Sequence, residues 1–147
     1  RRAGREGNVR QGIQSFKLDQ RGLARVFGEL EARIMDTVWE IGPATVQDVC
    51  DRLGPEQNYK TVMTVMNRLV EKHFLLRERD TRAFVYSAAA SRDAFVQDVS
   101  RHVVEGLVQD FGPAAIAQFL AVMDASPDTL AALRRLIEKG ESGDHEA

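Results

Sequence analysis

The stretch Asn58-Tyr59-Lys60-Thr61-Val62-Met63-Thr64-Val65-Met66-Asn67-Arg68-Leu69-Val70-Glu71-Lys72 constrains this chain more than any other. Laid on a helix, Val62, Val65, Met66, Leu69 and Val70 fall on one side at the three-and-four spacing of a buried stripe. The opposite side carries Lys60, Thr61, Thr64, Asn67, Arg68 and Glu71. Thr and Asn are mediocre helix formers, so helix propensity does not account for a face made of them. Short hydrogen-bonding groups with Lys or Arg near the ends suit phosphate oxygens and base edges in a major groove. Lys60, Thr61, Thr64, Asn67 and Arg68 are therefore the candidate reading residues. An ordinary amphipathic helix with a wet outer face has the same pattern, and the neighbouring segments decide between the two.

Upstream, Leu30, Ile34, Met35, Val38 and Trp39 make a helical stripe, with Glu29 and Glu31 favourably placed in its first turn. Gly42-Pro43 stops that helix. Thr45-Val46-Gln47-Asp48 reads as a capping box, with Asp in place of the usual Glu, opening a second helix through Leu53. Gly54-Pro55 ends the second, and the third is the one described above. Downstream, residues 74–79 and 83–87 read as two short strands, with Asp80-Thr81-Arg82 turning between them. Arg77, Arg79 and Arg82 put cations in or beside this hairpin. Three helices followed by a basic hairpin is the winged helix-turn-helix order, with the third helix as reader and the hairpin as a wing along the nucleic-acid backbone.

The remainder predicts three more helices. Ser91 caps the fourth, Phe111-Gly112-Pro113 breaks it, and Ser126-Pro127-Asp128 opens the sixth, which is expected to end at Gly140. About fifty residues are few to bury their own apolar surface. A two-fold partner is the economical solution, with Phe95, Val99, Val103, Leu107, Leu130, Leu133 and Ile137 as the expected seam. The expected class is mostly α with a small β-hairpin wing. Residues 1–27 form a largely flexible basic arm, 28–87 the winged helix-turn-helix domain, 88–140 the helical dimerisation domain and 141–147 a frayed tail.

Charge supports the division. The net value of −2 over 147 residues conceals +5 in residues 1–27, −2 in 28–86 and −5 in 87–147. A chain with one basic end suits a polyanion met at that end, and Arg1, Arg2, Arg5 and Arg10 are candidate tethers to phosphate. The lone cysteine, Cys50, excludes an internal disulfide and reads as a core residue. No apolar run is long enough to span a bilayer, so no membrane partner and a cytoplasmic location are expected. His73, His102 and His145 are dispersed without metal-ligand spacing, no nucleophile motif pairs with them, and no Gly-rich phosphate loop precedes a helix. No catalysis, metal or cofactor is expected. A winged-helix protein-interaction module without DNA binding is the alternative, against which Lys60, Arg68, Arg77, Arg79 and Arg82 speak.

Gly28-Glu29-Leu30-Glu31, Ile34-Met35, Val38-Trp39, Ala44-Thr45-Val46, the run from Tyr59 to Leu69 and Arg82-Ala83-Phe84-Val85-Tyr86 strongly resemble the BlaI/MecI family of penicillinase repressors. The resemblance spans residues 28–139 in order and spacing. It implies a homodimeric repressor on a dyad-symmetric double-stranded DNA operator, released when a signal from an inducing protease or sensor protein reaches the C-terminal half. Copper-responsive relatives carry paired cysteines near the C-terminus, which this chain lacks, so copper sensing is not expected. The resemblance also implies an Asn-Phe bond cut on induction. A gap-free alignment from Ser87 puts Arg101-His102 there, and induction by that cut is not expected.

Overall fold

The computed structural model describes residues 13, 15–124 and 126–143, the last three as backbone alone. A 3-10 turn at Gly22–Arg25 precedes α1 (Glu29–Ile41), α2 (Val46–Leu53) and α3 (Tyr59–Glu71). The antiparallel strands β1 (Leu75–Asp80) and β2 (Ala83–Ala88) follow, then α4 (Arg92–Phe111), α5 (Pro113–Asp124) and α6 (Pro127–Gly143). This is the expected class, mostly helical with a two-stranded wing.

The first three helices begin and end where their caps dictate. At α1 the Gly28 N–H donates to Glu31 Oε2 at 3.3 Å, and Gly42, at φ +81°, closes the helix in a conformation that a side chain would resist. At α2 the Thr45 hydroxyl accepts from the Asp48 N–H at 3.2 Å while Asp48 Oδ2 accepts from the Thr45 N–H at 2.9 Å. The Thr45 backbone N–H, and secondarily its hydroxyl, hold the Asp48 carboxyl below the ordinary Asp range. The cap therefore contributes stability above that range and loses it as pH falls through the lowered value. Asn58 Oδ1 accepts from the Lys60 N–H at 2.8 Å and starts α3. Cys50 is buried, and burial, with the Asp51 charge second, raises its thiol pKa; this matches a packed core residue rather than a reactive one.

The end of α3 sets the path into the wing. His73 has φ +66°, its N–H donates to the Val70 carbonyl at 3.0 Å, and the Phe74 N–H donates to the Leu69 carbonyl at 2.9 Å. This is a Schellman turn with histidine at the position glycine usually takes, accompanied by burial of both Leu69 and Phe74. Phe74 is thereby spent on the turn, so β1 starts at Leu75, one residue later than expected. The hairpin closes on two residues, Thr81 and Arg82, rather than three.

Four aromatic rings knit the segment before α1 to α1, the root of the wing and the start of α4. Phe27 stacks on Phe95 at 5.2 Å and meets Phe74 edge-on at 5.1 Å; Phe95 contacts Phe74 and Trp39, each at 5.5 Å. The Trp39 indole N–H donates to the Ala90 carbonyl at 2.9 Å, fixing the link between β2 and α4 against α1. Two expectations are corrected here. The arm does not extend through residue 27, because Phe27 is 2% exposed and Leu23 and Val26 pack on the same core. Arg25 closes residues 17–25 into a loop by donating to the Lys17 and Leu18 carbonyls. Arg1, Arg2, Arg5 and Arg10 lie outside the described residues. Phe95 and Val99 are not seam residues: at 3% and 8% exposure they are interior to this core, with Val103 packed beside them.

As a consequence, the two compact units of the chain part at Val103–Val104, inside α4, rather than at residue 87. In the second unit α6 runs past Gly140 to Gly143. A lone glycine costs a helix about 1 kcal/mol without ending it, and Gly140 is not among the glycines with positive φ.

Two substitutions test this packing. Phe95→Ala is expected to lower the unfolding free energy by about 3–5 kcal/mol, read by denaturant melts, without changing the oligomeric state of the folded protein. Dissociation at unchanged stability would return Phe95 to a seam. His73→Gly is expected to raise stability by about 0.5–1 kcal/mol. A lower Tm would mean that an imidazole contact outweighs the backbone strain.

Candidate nucleic-acid interface

Helix α3 divides as its period requires. Val62, Met66 and Leu69 are fully buried, and Met63, Val65 and Val70 are half-buried against the core. Lys60, Thr61, Thr64 and Arg68 are exposed on the other side. The core stripe thus orients the polar row, because turning α3 about its axis would expose the apolar residues. Lys72 Nζ sits 3.3 Å from Glu31 Oε1, a partly buried pair joining the end of α3 to the start of α1. Arg33 donates to the Leu53 carbonyl at 3.1 Å and ties α1 to the end of α2.

The polar row is not chemically uniform. Thr64 donates its hydroxyl to the Lys60 carbonyl at 2.8 Å, so outward it offers lone pairs and a methyl group. Asn67 is half-buried, and its Oδ1 accepts from both Arg77 Nη1 at 2.9 Å and the Tyr86 hydroxyl at 2.8 Å. A guanidinium only donates, so the oxygen must face it and the amide orientation is fixed. Reading adenine with both ends of the carboxamide requires that same oxygen as acceptor. Asn67 therefore stands apart from its neighbours: it joins the helix to the wing.

The wing sorts its charges by strand alternation. Residues directly opposite across the hairpin share a face, so the pairs Arg77–Tyr86 and Arg79–Phe84 lie on one side, and Glu78–Val85 and Asp80–Ala83 on the other. Arg77 lies 4.4 Å from the Phe84 ring centroid, on the diagonal, in cation–π geometry. Arg79 and Arg82 are exposed, Arg82 at the tip. Tyr86 is 1% exposed, and its backbone exchanges two hydrogen bonds with Ala44, at 2.9 and 2.8 Å, which anchors the wing at the entrance to α2.

One exposed aromatic escaped sequence reasoning. Tyr59, 47% exposed, opens α3 beside Lys60 and borders an open pocket of about 380 Å³ that Gln47 and Gln57 also line. Its position one residue before the polar row was the available signal. Among the described residues there is no cluster of His, Cys, Asp and Glu able to hold a metal ion, and no helix long and apolar enough to cross a membrane.

A profile of the penicillinase repressor family matches residues 27–139. The transcriptional regulator BlaI of Mycobacterium tuberculosis is 36% identical over 121 residues, covering 79% of this chain and 86% of that one. The methicillin resistance regulatory protein MecI of Staphylococcus aureus is 21% identical over 111 residues, covering 74% and 90%. Among solved structures, monomeric BlaI of Bacillus licheniformis in complex with the blaP half-operator matches 46% of this chain and 84% of its own, at 23% identity and a TM-score of 0.40. The chain belongs to the penicillinase repressor family, as a winged-helix transcriptional repressor of the BlaI/MecI type rather than an enzyme.

Proposed function

We propose that this repressor acts in the cytoplasm as a homodimer on a dyad-symmetric operator. Each protomer lays α3 in a major groove and its wing along the adjacent backbone. The observation that carries the reading is the exposed row Lys60, Thr61, Thr64 and Arg68, oriented by buried Val62, Met66 and Leu69 on the same helix. Lys60, Thr61 and Thr64 are the base-reading residues; Arg68, Arg79 and Arg82 meet phosphate. Tyr59 and Gln47, at the start of α3 and on α2, are placed to add backbone contacts, since the helix before a reader crosses the backbone. Arg1, Arg2, Arg5 and Arg10 extend the same electrostatic contact.

The second unit supports dimerisation. Leu107, Phe111, Ile116, Phe119, Leu136 and Ile137 are each at least 46% exposed, and so many exposed apolar side chains on a short helical unit call for a covering surface. A second copy is the covering surface in this reading, with Leu107, Leu130, Leu133 and Ile137 at the seam. Release follows from a signal, delivered by an inducing protease or sensor protein, that loosens this unit. Two half-sites then lose the effective concentration that linked them. The bond between Arg101 and His102 lies in the middle of α4, so cutting it requires local opening of the helix. The side chain after that bond is His, a poor stand-in for the Phe implied by the family resemblance, and another release signal is the reading here.

Gel shifts on the protein's own upstream DNA and on random duplex test the function. Selective binding that weakens steeply with salt is expected; no binding to either at low salt would contradict it. Lys60→Ala should cost about 1–3 kcal/mol on operator and relax preference at one base position. An equal loss on every sequence would make Lys60 a phosphate contact. Ile137→Asp should give monomers by light scattering and lower affinity for a full operator about a hundredfold, whereas a persistent dimer would move the seam elsewhere.

A further inference from the structure

The three-residue cluster of Asn67, Arg77 and Tyr86 has no place in a simple division into reading helix and backbone-contacting wing. Resting on the operator-binding reading above, we propose that it is a positioning device that locks the wing to the reader helix, and that Arg77 serves it rather than a phosphate.

Tyr86 cannot shift: its ring is buried and its backbone is bonded in both directions to Ala44. Its hydroxyl reaches Asn67 Oδ1 at 2.8 Å, tying the core to the polar side of α3. The second lone pair of that oxygen takes Arg77 Nη1 at 2.9 Å. Arg77 is in turn held over the Phe84 ring at 4.4 Å, so its guanidinium is fixed from two sides. Each strand of the wing thus contributes to the link, Arg77 from β1 and Tyr86 and Phe84 from β2. A two-stranded hairpin is marginal on its own. Fixing it at its root sets where the tip arginines, Arg79 and Arg82, meet DNA relative to the bases under α3. The consequence for specificity is that Asn67, with its acceptor engaged twice, contributes register rather than base identity.

Operator binding by gel shift over a salt series tests this, using the full chain. Tyr86→Phe keeps the ring in the core and removes one hydrogen bond. It is expected to raise the operator Kd about fivefold with the salt slope unchanged. The same change in a chain already carrying Arg79→Ala and Arg82→Ala is expected to have much less effect, because no tip cations remain to be positioned. Arg77→Met should also weaken binding at unchanged slope. Arg77→Gln, which retains a donor for Asn67 but no charge, should recover most of the loss. Equal Tyr86→Phe penalties in both backgrounds would overturn the proposal. So would a salt slope lower by about one for both Arg77 variants, the mark of a lost phosphate contact. Failure of the unaltered chain to bind the operator would be a different result, removing the operator-binding reading and this inference with it.

Discussion

Phe74 is where separate parts of the chain have to meet. Its backbone N–H completes the turn that ends α3, its ring packs against Phe27 and Phe95, and β1 begins at the next residue. The end of α3, the root of the wing, the segment before α1 and the first turns of α4 are therefore fixed by one aromatic cluster. Such ring pairs contribute about 0.5–1.5 kcal/mol each beyond the area they bury. Their geometric effect is larger than their energy: α3 can neither slide nor turn without displacing three buried rings.

The interface inherits its order from that constraint. With α3 held at its far end by Phe74 and along its length by Val62, Met66 and Leu69, the side opposite the core is presented as a rigid row. The wing, rooted through Leu75 and pinned by Tyr86, extends beside the same helix. Charge is then sorted by two periodicities. The helical one puts Lys60 and Arg68 outside, and the strand one separates Arg77 and Arg79 from Glu78 and Asp80. A chain of net charge −2 thus gathers exposed cations on one side of helix and wing without being basic overall.

What was legible in the sequence was local. The caps at Thr45, Asn58, Ser91 and Ser126 act over a few residues, and so do the stripe of α3 and the hairpin. Contacts between distant residues were not legible. Phe27 is one aromatic in a Gly- and Arg-rich run, and nothing nearby announces its partners 47 and 68 positions away. Phe95 and Val99 were recognisable as apolar, but a period shows which face is buried and not what buries it. Their cover is the chain's own core, while Leu107 and Ile137 remain outside. Asn67 sits on the polar side of α3 as expected; the hydroxyl that claims its oxygen belongs to Tyr86, 19 residues on.

In the operator-binding reading proposed above, α3 and the wing form one surface, held rigid from behind. Its most direct test is an amide-resolved NMR titration of the full chain with a duplex from its own upstream region. Shift changes are expected to concentrate on residues 59–68 and 79–82, appearing together at the same DNA ratio, with the amides of Phe27, Phe74 and Phe95 little changed. Changes centred on the helices after residue 104 with α3 silent would contradict it, as would wing and helix responding at different DNA ratios.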